Sequence, residues 1–156
     1  MTPVAGATLE RLSVLDLPWP TDWSAVFGAP ARPVVLEIGF GRGDFLLHLA
    51  RSRPDAFVVG VEVSNRSLAA AEKRLMRGEA PNARVIHESA EAALAHLFGP
   101  ASLAEIHVNF PDPWFKTRHE GRRLVRPAVL AAMVSRLEPG GRLRLATDVA
   151  AYAEMA

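Results

Sequence analysis

Two stretches of this chain carry residue types that do chemistry at fixed spacing. In Asn109-Phe110-Pro111-Asp112-Pro113-Trp114-Phe115-Lys116-Thr117-Arg118-His119-Glu120-Gly121-Arg122-Arg123 a carboxylate stands between two prolines and a run of cations follows it. Pro113 drives Asp112 out of the α region and Pro111 fixes its own φ, so the loop aims the carboxylate with few alternatives. Trp114 and Phe115 either stack on a base or pack under the loop. Lys116, Arg118, Arg122, Arg123 and Arg126 against Glu120 make a local excess of positive charge. That excess suits an anionic polymer, or a solvated face.

The second stretch is Glu37-Ile38-Gly39-Phe40-Gly41-Arg42-Gly43. Its glycines allow a ligand to approach the backbone closely. They run G-x-G-x-G, not the G-x-G-x-x-G of dinucleotide sites. Glu37 precedes them, where a carboxylate repels a pyrophosphate and attracts an ammonium. The methionine moiety of S-adenosylmethionine has an ammonium and no phosphate. Glu62 is spaced to accept hydrogen bonds from ribose hydroxyls, which fits dinucleotides and methyl donors alike. Ser89, in Glu88-Ser89-Ala90-Glu91, either reads an adenine edge or caps a helix.

The elements that must position these residues alternate. Apolar runs predict strands over 34–39, 57–63, 83–87, 105–110 and 142–147. Helical patterns cover 44–53, 64–78 with Leu68, Ala71, Leu75 and Met76 inward, 91–98, and a segment opened by Pro127 with Leu130, Val134 and Leu137 inward. Pro139-Gly140-Gly141 reads as a turn. Strand and helix in alternation imply a parallel sheet covered on both faces, a doubly wound α/β fold, with functional residues at the C-terminal ends of the strands. Residues 1–33 lack clear periodicity and read as an N-terminal extension, in which 22–28 forms one turn that lids the domain of 34–156.

Composition narrows the function classes. At 156 residues the chain is one domain with a single sizeable core. The net charge is +1, so attraction to nucleic acid must come from local clusters. The absence of cysteine removes thiolate chemistry and Cys-based zinc sites. The five histidines have no metal-ligand spacing, and no metal is expected. The N-terminus does not read as a secretory signal, and no apolar run is long enough to span a membrane. A cytoplasmic protein, monomeric or homodimeric, is the expectation.

Taken together, the motifs resemble the bacterial tRNA (guanine-N7-)-methyltransferases, which modify a guanine in the variable loop of tRNA. The resemblance rests on Trp23-Ser24-Ala25-Val26-Phe27-Gly28, Leu36 to Gly43, Gly60-Val61-Glu62, Asn109 to Trp114, Lys116 to Arg123, and Ala146-Thr147-Asp148. It implies a Rossmann-like class I methyltransferase fold with S-adenosylmethionine as cofactor and tRNA as partner. It further implies that Glu37, Glu62, the glycines Gly39, Gly41 and Gly43, and Ser89 bind the cofactor. Asp112 would be the catalytic residue, close to the cofactor; Lys116 and Asp148 would contact the substrate; Arg118, His119, Arg122 and Arg123 would contact RNA. Two departures stand out. The family commonly has Asp where Ser89 stands. Its members also continue past the fifth strand with further strands and a Thr-x-x-Glu segment, so the C-terminal strands are expected to be missing here and the fifth strand to be an uncovered edge. A small-molecule methyltransferase of the same fold, or a non-catalytic RNA-binding remnant, are the alternatives.

Overall fold

A computed structural model describes residues 11–114 and 116–155; Phe115 lies outside the described residues. Five parallel strands form one sheet in the order β3-β2-β1-β4-β5: β1 (Val34–Ile38), β2 (Phe57–Glu62), β3 (Ala83–His87), β4 (Leu103–Asn109) and β5 (Leu137–Ala146). Strand order reverses between β1 and β4, so the C-terminal ends of these two neighbours diverge into loops on opposite sides of one crevice. The doubly wound α/β expectation holds.

The sheet divides the core in two. Val35, Val58 and Val85 face α2 (Asp44–Ser52) and α3 (Asn65–Arg77), where Leu46, Leu49, Leu68 and Leu75 are buried. Leu36, Val59, Ile86 and Ile106 face α4 (Ala90–His96) and α5 (Pro127–Arg136). Burial on both faces explains why β1 and β2 read as unbroken apolar runs.

Caps set the helix limits. Ser64 Oγ accepts from the Ser67 amide at 3.2 Å, and Pro127 occupies the first turn of α5. Two inward assignments fail: Met76 and Val134 are 51% and 58% exposed. In α3 the buried stripe is Leu68, Ala71 and Leu75, and Met76 falls one residue past it. In α5 the buried pair is Val129 and Met133, so the true stripe is displaced from the expected one, and Leu130 is only partly buried. Pro139-Gly140-Gly141 is not a turn ahead of a short strand but part of β5. Pairing slips between Leu103↔Leu137 and Glu105↔Arg142, which places the segment in a bulge. A Cβ on Gly141 would lie 2.9 Å from the Glu138 carbonyl oxygen and 3.1 Å from that of Leu103, so only glycine fits.

A short helix, α1 (Trp23–Phe27), begins at Asp22, which accepts from the Ala25 amide at 3.3 Å, and ends at Gly28 in the left-handed region. Trp23 stacks on Phe98 at 5.3 Å, and Phe27 stacks on Phe57 at 4.3 Å. Because Phe57 opens β2, this part of the chain covers the core at the end of the sheet away from the crevice. No helix among the described residues is long and apolar enough to cross a membrane, and they contain no cluster able to hold a metal.

Removing the Trp23 ring leaves a cavity against Phe98. Trp23→Ala is expected to lower unfolding stability by roughly 3 kcal/mol. Urea denaturation followed by circular dichroism measures it, and an unchanged midpoint would show that α1 lies outside the cooperative core.

Candidate functional site

β1 carries one charged residue, and its carboxyl is buried. Glu37 is 1% exposed. Its Oε1 accepts from Asn109 Nδ2 of β4 at 3.4 Å, and its Oε2 is buried with no hydrogen-bond partner. Burial pushes its pKa up to about 7, and the nearby Glu62 charge adds to the rise, against the hydrogen bond from Asn109. A buried acceptor without a donor costs about 1–3 kcal/mol. That orphan oxygen lies beneath the glycine turn and is suited to a cationic donor brought by a ligand.

The glycine turn follows directly. Gly39, Gly41 and Gly43 all have positive φ, at 70°, 58° and 85°. At Gly43 there is a second constraint: a Cβ would lie 2.7 Å from the Ala71 Cβ, so glycine lets α2 start tight against α3. Glu62, ending β2, braces this turn. Its Oε2 accepts from the Gly41 amide at 3.0 Å, and its Oε1 accepts from the amides of Val63 and Ser64 at 2.8 and 3.1 Å. Three of about four lone-pair positions on the carboxylate are then used.

A cavity of about 400 Å³ opens above these strand ends. Ile38, Gly39, Glu62, Ser89, Trp114 and Arg122 are among its walls. Its size falls in the small-molecule range. Ser89 caps α4, its Oγ accepting from the Ala92 amide at 3.2 Å, and its hydroxyl still borders the cavity. Glu88, unassigned from the sequence, lines the same wall and accepts from the Ser89 amide at 2.8 Å.

The Pro-Asp-Pro loop forms the opposite wall and is held from three directions. Phe110 and Trp114 bracket it at φ 49° and 44°, a region bulky residues seldom adopt. Asp112 Oδ1 accepts from the Trp114 amide at 3.0 Å, and Oδ2 has no partner among the described residues. Arg123 Nε donates to the Trp114 carbonyl at 3.1 Å. The Tyr152 hydroxyl donates to the Pro113 carbonyl at 2.7 Å and lies 3.4 Å from that of Asp112. Tyr152 is the chain's single tyrosine, 4% exposed, on α6 (Ala150–Met155). Sequence reasoning missed it, since nothing local marks a residue that acts 40 positions back.

The basic segment divides by task. Arg122 lies over the Trp114 ring at 5.2 Å, and His119 meets the same ring edge-on at 5.2 Å. Arg126 pairs with Glu91. Lys116 and Arg118 are exposed, as is Asp148 beyond β5. Gly39, Glu62, Ser89, Trp114 and Arg122 thus line one crevice. Glu37, Gly41, Gly43 and Asp112 are not among its walls, although Gly41 bonds to Glu62 and Asp112 to Trp114, and Lys116 stands just ahead of the 3-10 segment (Thr117–Arg122) that carries Arg118.

A family model described as "Putative methyltransferase" matches residues 31–156. The chain belongs to that methyltransferase family. A tRNA (guanine-N(7)-)-methyltransferase of Burkholderia ambifaria is 45% identical over 85% of this chain and 52% of the relative. One of Thermus thermophilus is 46% identical over 86% of this chain and 43% of the relative. This methyltransferase-family chain thus spans about half the length of the curated relatives it matches. Among solved structures, the aminoglycoside resistance methyltransferase NpmB1 superposes with a TM-score of 0.58 at 25% identity, covering 80% of this chain and 60% of that one.

Two outcomes follow from this geometry. Because the folded pKa of Glu37 exceeds its ordinary value, the folded state holds the proton longer, and stability falls as pH rises from 4.5 to about 7. The loss is up to about 3 kcal/mol. Chemical denaturation across that window should show the decline, and Glu37→Gln should flatten it. For the loop, Tyr152→Phe is expected to cost about 1 kcal/mol of stability and to loosen the Trp114 environment, read as a red shift and faster quenching of its fluorescence against Trp19 and Trp23 single-tryptophan controls.

Proposed function

We propose that the chain transfers a methyl group from S-adenosylmethionine to N7 of a guanine in tRNA. The observation that carries this reading is the orphan carboxylate oxygen of Glu37 under a glycine turn in a methyltransferase-family fold. The donor's ammonium supplies the missing hydrogen bond and an opposite charge at once, and the ionised form of Glu37 is then favoured. Glu62, with one acceptor position remaining, takes a ribose hydroxyl while it braces Gly41. Ser89 and Glu88 border the space left for the adenine.

S-adenosylmethionine supplies an electrophilic methyl on a sulfonium, which becomes a neutral thioether as the methyl leaves. Guanine N7 presents a lone pair and needs no deprotonation. Asp112 therefore serves as an anchor and not as a base. Its free Oδ2 accepts from the N–H groups of the guanine Watson-Crick edge, and its charge offsets the positive charge that develops on the purine. The bracketing prolines, Tyr152 and Arg123 hold that carboxylate in place before the base arrives, and alignment of this kind lowers a bimolecular barrier by roughly 7 kcal/mol or more. Lys116 and Asp148 contact the substrate nucleotide. Arg118, His119, Arg122 and Arg123 form the adjoining RNA contact, with Arg122 and His119 also fixing Trp114. The activity of the related tRNA (guanine-N(7)-)-methyltransferases supports guanine N7 of tRNA as the acceptor.

Transfer of labelled methyl to bulk tRNA, with 7-methylguanosine mapped by borohydride-induced cleavage, tests the reading against a panel of small acceptors. Asp112→Asn should leave calorimetric affinity for S-adenosylmethionine nearly unchanged and lower turnover roughly 100-fold. Label appearing only in small acceptors would overturn the tRNA assignment.

A further inference from the structure

A second cavity, larger than the crevice, is a groove of about 590 Å³ along the outer side of α2 and α3. Arg42, Arg51, Arg66, Lys73, Arg74 and Arg77 line it, with no acid among its walls. Six of the chain's eighteen lysines and arginines gather here, in a protein whose net charge is +1. Two acids of these helices are already paired, Asp44 with Arg74 at 3.0 Å and Glu72 with Arg11 at 2.9 Å, while Glu79, next to Gly78 at the end of α3, is exposed.

The cations do two different things. Arg74 Nε donates to the Arg42 carbonyl at 3.2 Å, and Arg51 donates to the Gly78 carbonyl at 3.3 Å through Nη2. Those two hold the glycine turn and the end of α3. The side chains of Arg42, Arg66, Lys73 and Arg77 are exposed and have no ion pair or hydrogen bond among the described residues. Solvated arginines with no internal task, concentrated in one concavity, repel each other and destabilise the fold unless an anion is present.

Their layout selects the anion. Residues 66, 73 and 77 recur at spacings of seven and four, on one side of α3, over about 16 Å of helix. A single phosphate needs donors that converge on a point; these are spread along a line, which suits successive phosphates of a polymer. Arginine predominates, and its planar fork matches phosphate oxygens. The lining has no aromatic side chain to enter a bilayer interface, which argues against a membrane surface. Arg42, inside the glycine turn, stands beside the middle of α3, and Arg66, four residues past Glu62, stands at the start of α3, so the groove adjoins the glycine wall of the crevice. Arg122 and the Pro-Asp-Pro loop stand at the opposite rim.

We propose that the α2–α3 groove is a second RNA-backbone site, which holds phosphates of the strand on the far side of the crevice from Lys116 and Arg118. It rests on the tRNA part of the proposed function and is independent of methyl transfer itself, because it concerns binding alone. The variant Arg66→Ala/Lys73→Ala/Arg77→Ala removes exposed side chains only and should leave the thermal midpoint and S-adenosylmethionine affinity unchanged. Filter binding of tRNA to the full chain from 50 to 300 mM KCl should show the slope of log K against log salt reduced by about two to three. Affinity at 100 mM should fall at least tenfold. The same slope and affinity as wild type overturn the site, as does a wild-type chain that fails to bind tRNA at low salt. A loss confined to phosphatidylserine-containing vesicles overturns it in favour of a lipid surface. Wild-type tRNA binding without 7-methylguanosine formation leaves the groove standing and removes the methyl-transfer reading instead.

Discussion

The carboxylate of Glu37 is buried in the middle strand of the sheet, and the surrounding structure is shaped by that placement. A charge in a strand covered on both faces is unfavourable unless something answers it. Asn109 answers half, from the adjacent β4. The other oxygen is left to whatever enters the crevice. The fold can place an acid there only because strand order reverses between β1 and β4, which parts the two following loops and opens a gap above the strand ends. The glycine turn, the bracing by Glu62 and the cavity all surround that gap.

Across the gap, the two walls are stiffened differently. The glycine wall is held by backbone amides that converge on Glu62, so it can approach a ligand without interposing side chains. The Asp112 wall is held by its own carbonyls, which receive Tyr152 and Arg123, while the carboxylate of Asp112 keeps one oxygen free. Strain at Phe110 and Trp114 persists because those tertiary hydrogen bonds over-determine the loop. One wall is therefore bare backbone closed on a carboxylate, and the other presents a carboxylate oxygen without a partner among the described residues.

Strand and helix alternation, the glycine turn and the proline-bracketed Asp112 were legible in the sequence because each depends on neighbours a few positions away. Ser64 and Pro127 marked helix starts by local chemistry and were placed correctly. Helix faces were less legible: Met76 and Val134 lie one position past the buried stripe, where two adjacent apolar residues, Leu75-Met76 and Met133-Val134, fit either phase of the helix. The bulge at Pro139 to Gly141 read as a turn since glycine and proline serve both. Asn109, Glu88 and Tyr152 escaped as site residues because their roles depend on register between strands or on a helix returning to a loop. The cations of α2 and α3 come from separate stretches of chain and gather only where the two helices pack side by side.

The contact between Glu37 and Asn109 joins residues 72 positions apart. They meet through the pairing of β4 with β1, which closes a loop of chain that contains β2, β3 and their crossover helices. Pairing of such distant strands is slow, since the entropy of closing the intervening chain is spent before the contacts repay it. A ligand seated on Glu37 would consequently be held only by chains in which that long-range pairing is in place.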